Sequence, residues 1–141
     1  MIGYGKRVLV VDDTDMMRLL LAEVLGQEGF AVVQVCDGVQ ALCEMQRRHF
    51  DVVVTDYHMP RLDGLDLLRQ SQMAWPEIPV IFFSEIEWDK SDLAEAGGAF
   101  AWVRKSSDAG VLVSMLGLAV AQSVEQGMEW GSQHIMERVG A

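Results

Sequence analysis

The chain has 141 residues, half of them apolar, which is enough for one buried core and too few for two full domains of ordinary size. Twenty-one acidic residues against eleven basic ones leave a net charge of −10, which repels phosphate backbones and argues against direct binding to nucleic acid or to an anionic membrane surface. No apolar run approaches the roughly 20 residues of a membrane helix, and Arg7 already opens a strand without a secretory signal pattern, so a cytoplasmic location is expected.

Arg7 to Val11 reads as a continuous apolar strand ending in Asp12-Asp13. Thr14 or Asp15 then offers a cap for a helix whose inward stripe is Met17, Leu20, Leu21, Val24 and Leu25. Gly29 suits a left-handed stop, Phe30 to Val35 make a second strand, and Asp37-Gly38 a turn. A second helix carries Ala41, Leu42 and Met45 inward. The run Asp51-Val52-Val53-Val54-Thr55 is a third, buried strand that must stop before Pro60 and Asp63-Gly64, which leaves Asp56 on its tip. A helix from about Gly64 to Met73 presents Leu65 and Leu68 and closes at Trp75-Pro76. Pro79 to Phe83 form the fourth strand, with Ser84 at its tip. A short helix over Ser91 to Ala96 stops at Gly97-Gly98, and Phe100 to Arg104 form the fifth strand with Lys105 at its tip. The last helix starts near Ser107-Asp108 and runs through Val111, Leu112, Met115, Leu116, Leu118 and Ala119. With Val113 and Val120 off that stripe it is apolar nearly all round, which suits either a partner or dimer surface or cover by the protein's own tail. Cys36 and Cys43 are expected as small buried apolar groups, since two thiols make no metal site without further ligands.

Strands alternating with helices through short loops call for an α/β fold: a doubly wound, five-stranded parallel sheet with right-handed crossovers, flanked by five helices. The expected organisation is one domain over residues 1–122 and a tail over 123–141 with at most a short helix around His134 to Val139. Such a sheet presents its ligand crevice at the carboxyl ends of the strands. There it gathers Asp12, Asp13 and Asp56 with Ser84 and Lys105. Close carboxylates repel by roughly 4 kcal/mol per pair at an effective dielectric near 20, and a bound cation removes that repulsion. Hard oxygen donors without a histidine or thiol cluster favour Mg²⁺, which keeps coordination positions for water and a phosphoryl group. Lys105 and the Ser84 hydroxyl face the same crevice, so the set suits phosphoryl transfer to a carboxylate, with Asp56 the best-placed acceptor.

These residues resemble the receiver domain of two-component response regulators, chiefly its stand-alone, chemotaxis-regulator-like members. The resemblance covers about residues 6 to 121 and rests on Asp12-Asp13, Asp56 followed by Met59-Pro60 and Asp63-Gly64, Ser84, and Trp102 three residues before Lys105. It implies the flavodoxin-like strand order 2-1-3-4-5 and a single-domain regulator rather than an enzyme. Asp56 would accept a phosphoryl group from a histidine kinase or histidine phosphotransfer protein. Asp12, Asp13, Asp56 and the backbone carbonyl of His58 would surround Mg²⁺, Ser84 and Lys105 would hold the phosphoryl oxygens, and Ser84 with Trp102 would form the switch. The signal would pass to a downstream protein, and a homodimer would use the face of the short helix, the fifth strand and the last helix. His58 and Ile86 stand where the family tunes the lifetime of the acyl phosphate. Two departures stand out: Glu85 replaces the usual small residue, and Ser106-Ser107 replace the usual proline after the lysine, whose peptide bond in the family is typically cis. A cis bond before serine costs roughly 3 to 4 kcal/mol, so the Lys105–Ser106 bond is expected to be trans.

Two rival readings remain at this level. Asp13-Thr14-Asp15 imitates the nucleophile motif of haloacid-dehalogenase phosphatases, although Met16-Met17 follow where that family expects Gly-Thr. A receiver fold can also act as an interaction module without phosphorylation.

Overall fold

The computed structural model describes residues 2–85 and 97–128, with the side chains of its last helix described as far as Gln122. In chain order the elements are β1 (Arg7–Val11), α1 (Asp15–Gln27), β2 (Ala31–Val35), α2 (Gly38–Arg47), β3 (Val52–Thr55), α3 (Gly64–Ala74), β4 (Val80–Ser84), β5 (Ala101–Arg104) and a final helix, α4 (Ala109–Met128). The helix expected over Ser91 to Ala96 and the one around His134 to Val139 lie outside the described residues. Four helices are thus seen among the described residues, and α4 runs past residue 122, where the apolar pattern weakens.

All strand pairs are parallel, in the order β2-β1-β3-β4-β5. Alternation along each strand divides the core in two. Leu9, Val11, Val53, Val80 and Phe82 meet Ala41 and Met45 of α2 and Leu67 and Leu68 of α3 on one face. Val8, Val10, Val52, Ile81 and Val103 meet Leu21 and Leu25 of α1 and Leu112 and Leu116 of α4 on the other. The three central strands are apolar without interruption because helices cover both sides of them.

Several single positions depart from the periodicity. Leu20 is 53% exposed, because Leu21 and Leu25 take the inward line of α1 and Leu20 falls one step off it. Leu67 is fully buried and Leu65 only partly, so the inward face of α3 is set by the Leu67-Leu68 pair. Leu118 and Val111 are exposed while Val120 is buried, which makes much of the apolar surface of α4 ordinary core. Neither cysteine is fully buried. Cys43 lies on the outer side of α2, about half a helical turn from buried Ala41, and Cys36 is half-buried with its Sγ 3.3 Å from Gln40 Oε1.

Side chains end the loops cleanly. Asp37 Oδ1 accepts the Gln40 N–H (2.9 Å) at the start of α2, and Asp63 Oδ1 accepts the Asp66 N–H (2.9 Å) at the start of α3. Asp108 Oδ1 takes the Gly110 N–H (2.7 Å) at the head of α4. Thr14 occupies the cap position of α1 without a side-chain bond, and its own N–H goes to Asp12 Oδ1 at 2.9 Å.

Gly64 opens α3 directly against the tip of β3: a β-carbon there would lie 2.4 Å from the Asp56 carbonyl oxygen and 2.8 Å from the Phe82 ring. Neither neighbour has room to retreat. Gly64→Ala is expected to lower stability by about 1–3 kcal/mol through overpacking, read as a shift of the urea unfolding midpoint at unchanged slope.

Candidate functional site

Parallel registry brings the tips together. Val11 pairs with Thr55, so the next residues, Asp12 and Asp56, leave β1 and β3 side by side. Ser84 pairs with Arg104, and the Lys105 N–H donates to the Ser84 carbonyl at 2.9 Å, which sets Lys105 at the end of β5. From there its ammonium reaches across the crevice to Asp12 Oδ2 at 2.7 Å and to Asp56 Oδ2 at 3.0 Å. All three side chains are largely covered, with 8% of Lys105, 3% of Asp12 and 13% of Asp56 exposed.

The second oxygens of the two carboxylates are held by backbone. Asp12 Oδ1 accepts the Thr14 N–H, and Asp56 Oδ1 accepts the Tyr57 N–H at 2.8 Å. Burial by itself depresses the Lys105 ammonium, but hydrogen bonds and charge from Asp12 and Asp56 together outweigh it and raise its pKa above the ordinary 10.5. Asp13 is exposed at the mouth. One oxygen each of Asp12, Asp13 and Asp56 lies within 4.8 Å of the others, the single such cluster among the described residues.

A group of three hard oxygen donors, one of them open to solvent and only two of them countered by an ammonium, fits Mg²⁺ and leaves negative charge for a cation to relieve. Ser84 is buried at the tip of β4, and His58 is exposed two residues after Asp56. Ile86 lies outside the described residues. Among the described residues no peptide is cis, so Lys105–Ser106 is trans and the lysine still reaches Asp56.

Trp102 is half-buried on the sheet face that carries Phe82. Its ring centroid lies 4.9 Å from that of Phe82 and 6.2 Å from that of Tyr57. The indole is therefore packed against these rings rather than extended into solvent. Asp15 does not join the crevice. It is 85% exposed and paired with Arg18 on the first turn of α1, so the phosphatase-like Asp13-Thr14-Asp15 motif is not assembled as a catalytic pair.

One contact near the site has no sequence signature. Arg61, in the loop after Asp56, pairs with Asp37 at the head of α2, 24 residues away. Both residues read as ordinary loop positions, and only the crossover of β2 to β3 through the sheet order brings the two loops together.

The comparisons with known proteins agree with this geometry. The sequence profile of the response regulator receiver domain matches residues 8–117. The chain is 34% identical over 115 residues to the CAI-1 autoinducer sensor kinase/phosphatase CqsS of Vibrio cholerae, covering 79% of this chain and 17% of that protein. A protein-glutamate methylesterase/protein-glutamine glutaminase of Anaeromyxobacter dehalogenans is 38% identical over 88 residues, 62% of this chain and 25% of the relative. The chain thus spans a quarter or less of the length of these curated relatives. Among solved structures, the response regulator TrrA of Thermotoga maritima, in complex with Mg²⁺-BeF, superposes with a TM-score of 0.76 at 29% identity, over 81% of this chain and 98% of that one. The Vibrio cholerae chemotaxis protein CheY4 gives 0.76 at 26% identity, over 81% and 98%.

The strand-tip crevice of three carboxylates and one lysine on a 2-1-3-4-5 parallel sheet goes with a match to receiver domains, which are signalling modules and not typically enzymes. The chain belongs to the response regulator receiver domain family, the phosphoryl-accepting modules of two-component signalling.

Removing the lysine leaves two covered carboxylates facing each other. Lys105→Met is expected to lower stability by about 3 kcal/mol without divalent cation, with partial recovery in millimolar Mg²⁺. Because the pKa of Lys105 is raised on folding, its contribution is full below the ordinary value of 10.5 and is lost as pH rises through the higher folded value. The stability gap between wild type and Lys105→Met should therefore narrow only in strong alkali, in denaturation curves recorded with a chelator present.

Proposed function

We propose that Asp56 is the phosphoacceptor of a single-domain response regulator, supplied by the phosphohistidine of a histidine kinase or histidine phosphotransfer protein. The observation that carries this reading is the Lys105 ammonium held between Asp12 and Asp56, beside an exposed Asp13. A positive charge is thereby fixed where a transferred phosphoryl group would place its oxygens.

Asp12, Asp13, Asp56 and the His58 backbone carbonyl would hold Mg²⁺, whose charge offsets that of the phosphoryl oxygens when it is bound. An Asp56 carboxylate oxygen attacks phosphorus as the P–N bond to the donor imidazole breaks. The bonding pair leaves with the imidazole, which takes up a proton. Lys105 moves from its carboxylate partners to a phosphoryl oxygen, and the Ser84 hydroxyl supplies a second donor. The Tyr57 N–H keeps the acceptor carboxylate oriented throughout.

Ser84 moving toward the phosphoryl group and Trp102 adjusting behind it on Phe82 form the switch, a shift of a pre-existing equilibrium. The output is to a protein partner across β5 and α4, where Val111 and Leu118 remain exposed, and a homodimer through this face is one form of it. Met16, Leu19 and Leu20 form a second exposed apolar stripe on α1, adjoining the crevice mouth where a donor protein would approach. Among the described residues no helix is long and apolar enough to cross a membrane, and a kinase partner of this type supports a cytoplasmic site of action.

Incubation with acetyl phosphate and Mg²⁺ should add one phosphate by intact mass, and Asp56→Asn should abolish it. Labelling that persists unchanged in Asp56→Asn, or turnover of a phosphomonoester by the wild type, would contradict the assignment. Apo protein should gain thermal stability with Mg²⁺, and Asp13→Ala should lose most of that gain.

A further inference from the structure

The loop from Tyr57 to Asp63 joins the acceptor strand to α3, and its first residues stand next to Asp56. Its near end is fixed by the Tyr57 N–H on Asp56 Oδ1. Its far end is fixed by the Gly64 N–H on the Tyr57 carbonyl at 2.8 Å and by the Asp63 cap. Between those anchors the backbone turns on itself, with the Leu62 N–H donating to the Pro60 carbonyl at 2.9 Å. Arg61 adopts φ 69°, the only positive φ outside glycine among the described residues. A long side chain accepts that conformation only when something holds it there.

What holds it is the head of α2. The Arg61 guanidinium pairs with Asp37, a carboxylate only 5% exposed that also caps the helix through Gln40. Immediately beside this pair the loop backbone touches the helix. A β-carbon on Gly38 would lie 2.5 Å from the Leu62 carbonyl oxygen, so Gly38 is the residue that lets the two come into contact. Burial works against the Asp37 charge, while bonds from the Gln40 N–H and from Arg61 more than compensate and hold its carboxyl below the usual range. With Arg61 and Leu62 pinned to α2, the free span of the loop shrinks to residues 58–60.

We propose that Arg61 is a positioning residue, which by pairing with Asp37 holds the 58–60 span in the shape that offers the His58 carbonyl to a divalent cation beside Asp56. The inference rests on the acidic crevice being a Mg²⁺ site. A carbonyl on a short span anchored at both ends loses little freedom when it becomes a ligand. Without Arg61 the span lengthens, and binding must order it.

Mg²⁺ titration of the full chain, followed by the shift in melting temperature, tests this without reference to phosphorylation. Arg61→Gln keeps the backbone demand and removes the charge; it should weaken Mg²⁺ by roughly two- to fivefold, the range of a partly exposed ion pair. Arg61→Lys restores the charge and should recover most of the loss, which a general packing defect would not. Asp37→Asn keeps a competent cap, should match Arg61→Gln, and should add nothing to it in the double variant. Equal Mg²⁺ affinity in wild type and Arg61→Gln overturns the latch alone. So does a loss that Arg61→Lys fails to reverse. A wild-type chain indifferent to Mg²⁺ overturns the metal reading itself and the latch with it.

Discussion

The arrangement depends on one ammonium group. Lys105 leaves the edge strand β5, passes over the tips of β4 and β3, and ends between Asp56 and Asp12. At an effective dielectric near 20 each such contact is worth roughly 4 kcal/mol of attraction, against a similar repulsion between the carboxylates it separates. Taking the three charges out of water costs several kcal/mol per ion, so the triad adds little net stability. Its value lies in placement: the sheet holds a positive charge fixed beside Asp12 and Asp56. The usual proline after the lysine is absent, yet the trans peptide and the long lysine stem deliver the ammonium to the same carboxylates.

Around that triad the molecule is built asymmetrically. Tyr57, Phe82 and Trp102 form a string of ring contacts on the α2–α3 side of the sheet, from the residue after Asp56 to the tip region of β5. Ring pairs at these separations contribute about 0.5–1.5 kcal/mol beyond the area they bury. The residue next to Asp56 is thus part of a packed aromatic cluster.

The acidic surplus and the apolar surface also divide by location. The crevice concentrates carboxylates at the strand tips, while exposed large apolar side chains occur on both faces, Met16, Leu19 and Leu20 on α1, Val39 on α2, Met73 on α3, and Val111 and Leu118 on α4.

Much of this was legible along the chain. The five apolar runs, the acids that end the first and third, and the hydroxyl and lysine that end the fourth and fifth are local patterns, because a buried parallel strand must be apolar throughout and must expose polar groups only where it stops. That alone set the fold class and the crevice residues. Which leucine of a helix turns inward was less secure: Leu20 against Leu21, Leu65 against Leu67 and Cys43 against Ala41 differ by a residue or two, and the decision belongs to the facing sheet. The inward seat of Trp102, the sharing of one ammonium by Asp12 and Asp56, and the Arg61–Asp37 pair were decided by tertiary structure only. Each joins residues far apart in the chain through strand order and register, and side chains that meet by registry leave no periodic trace in the segments that carry them.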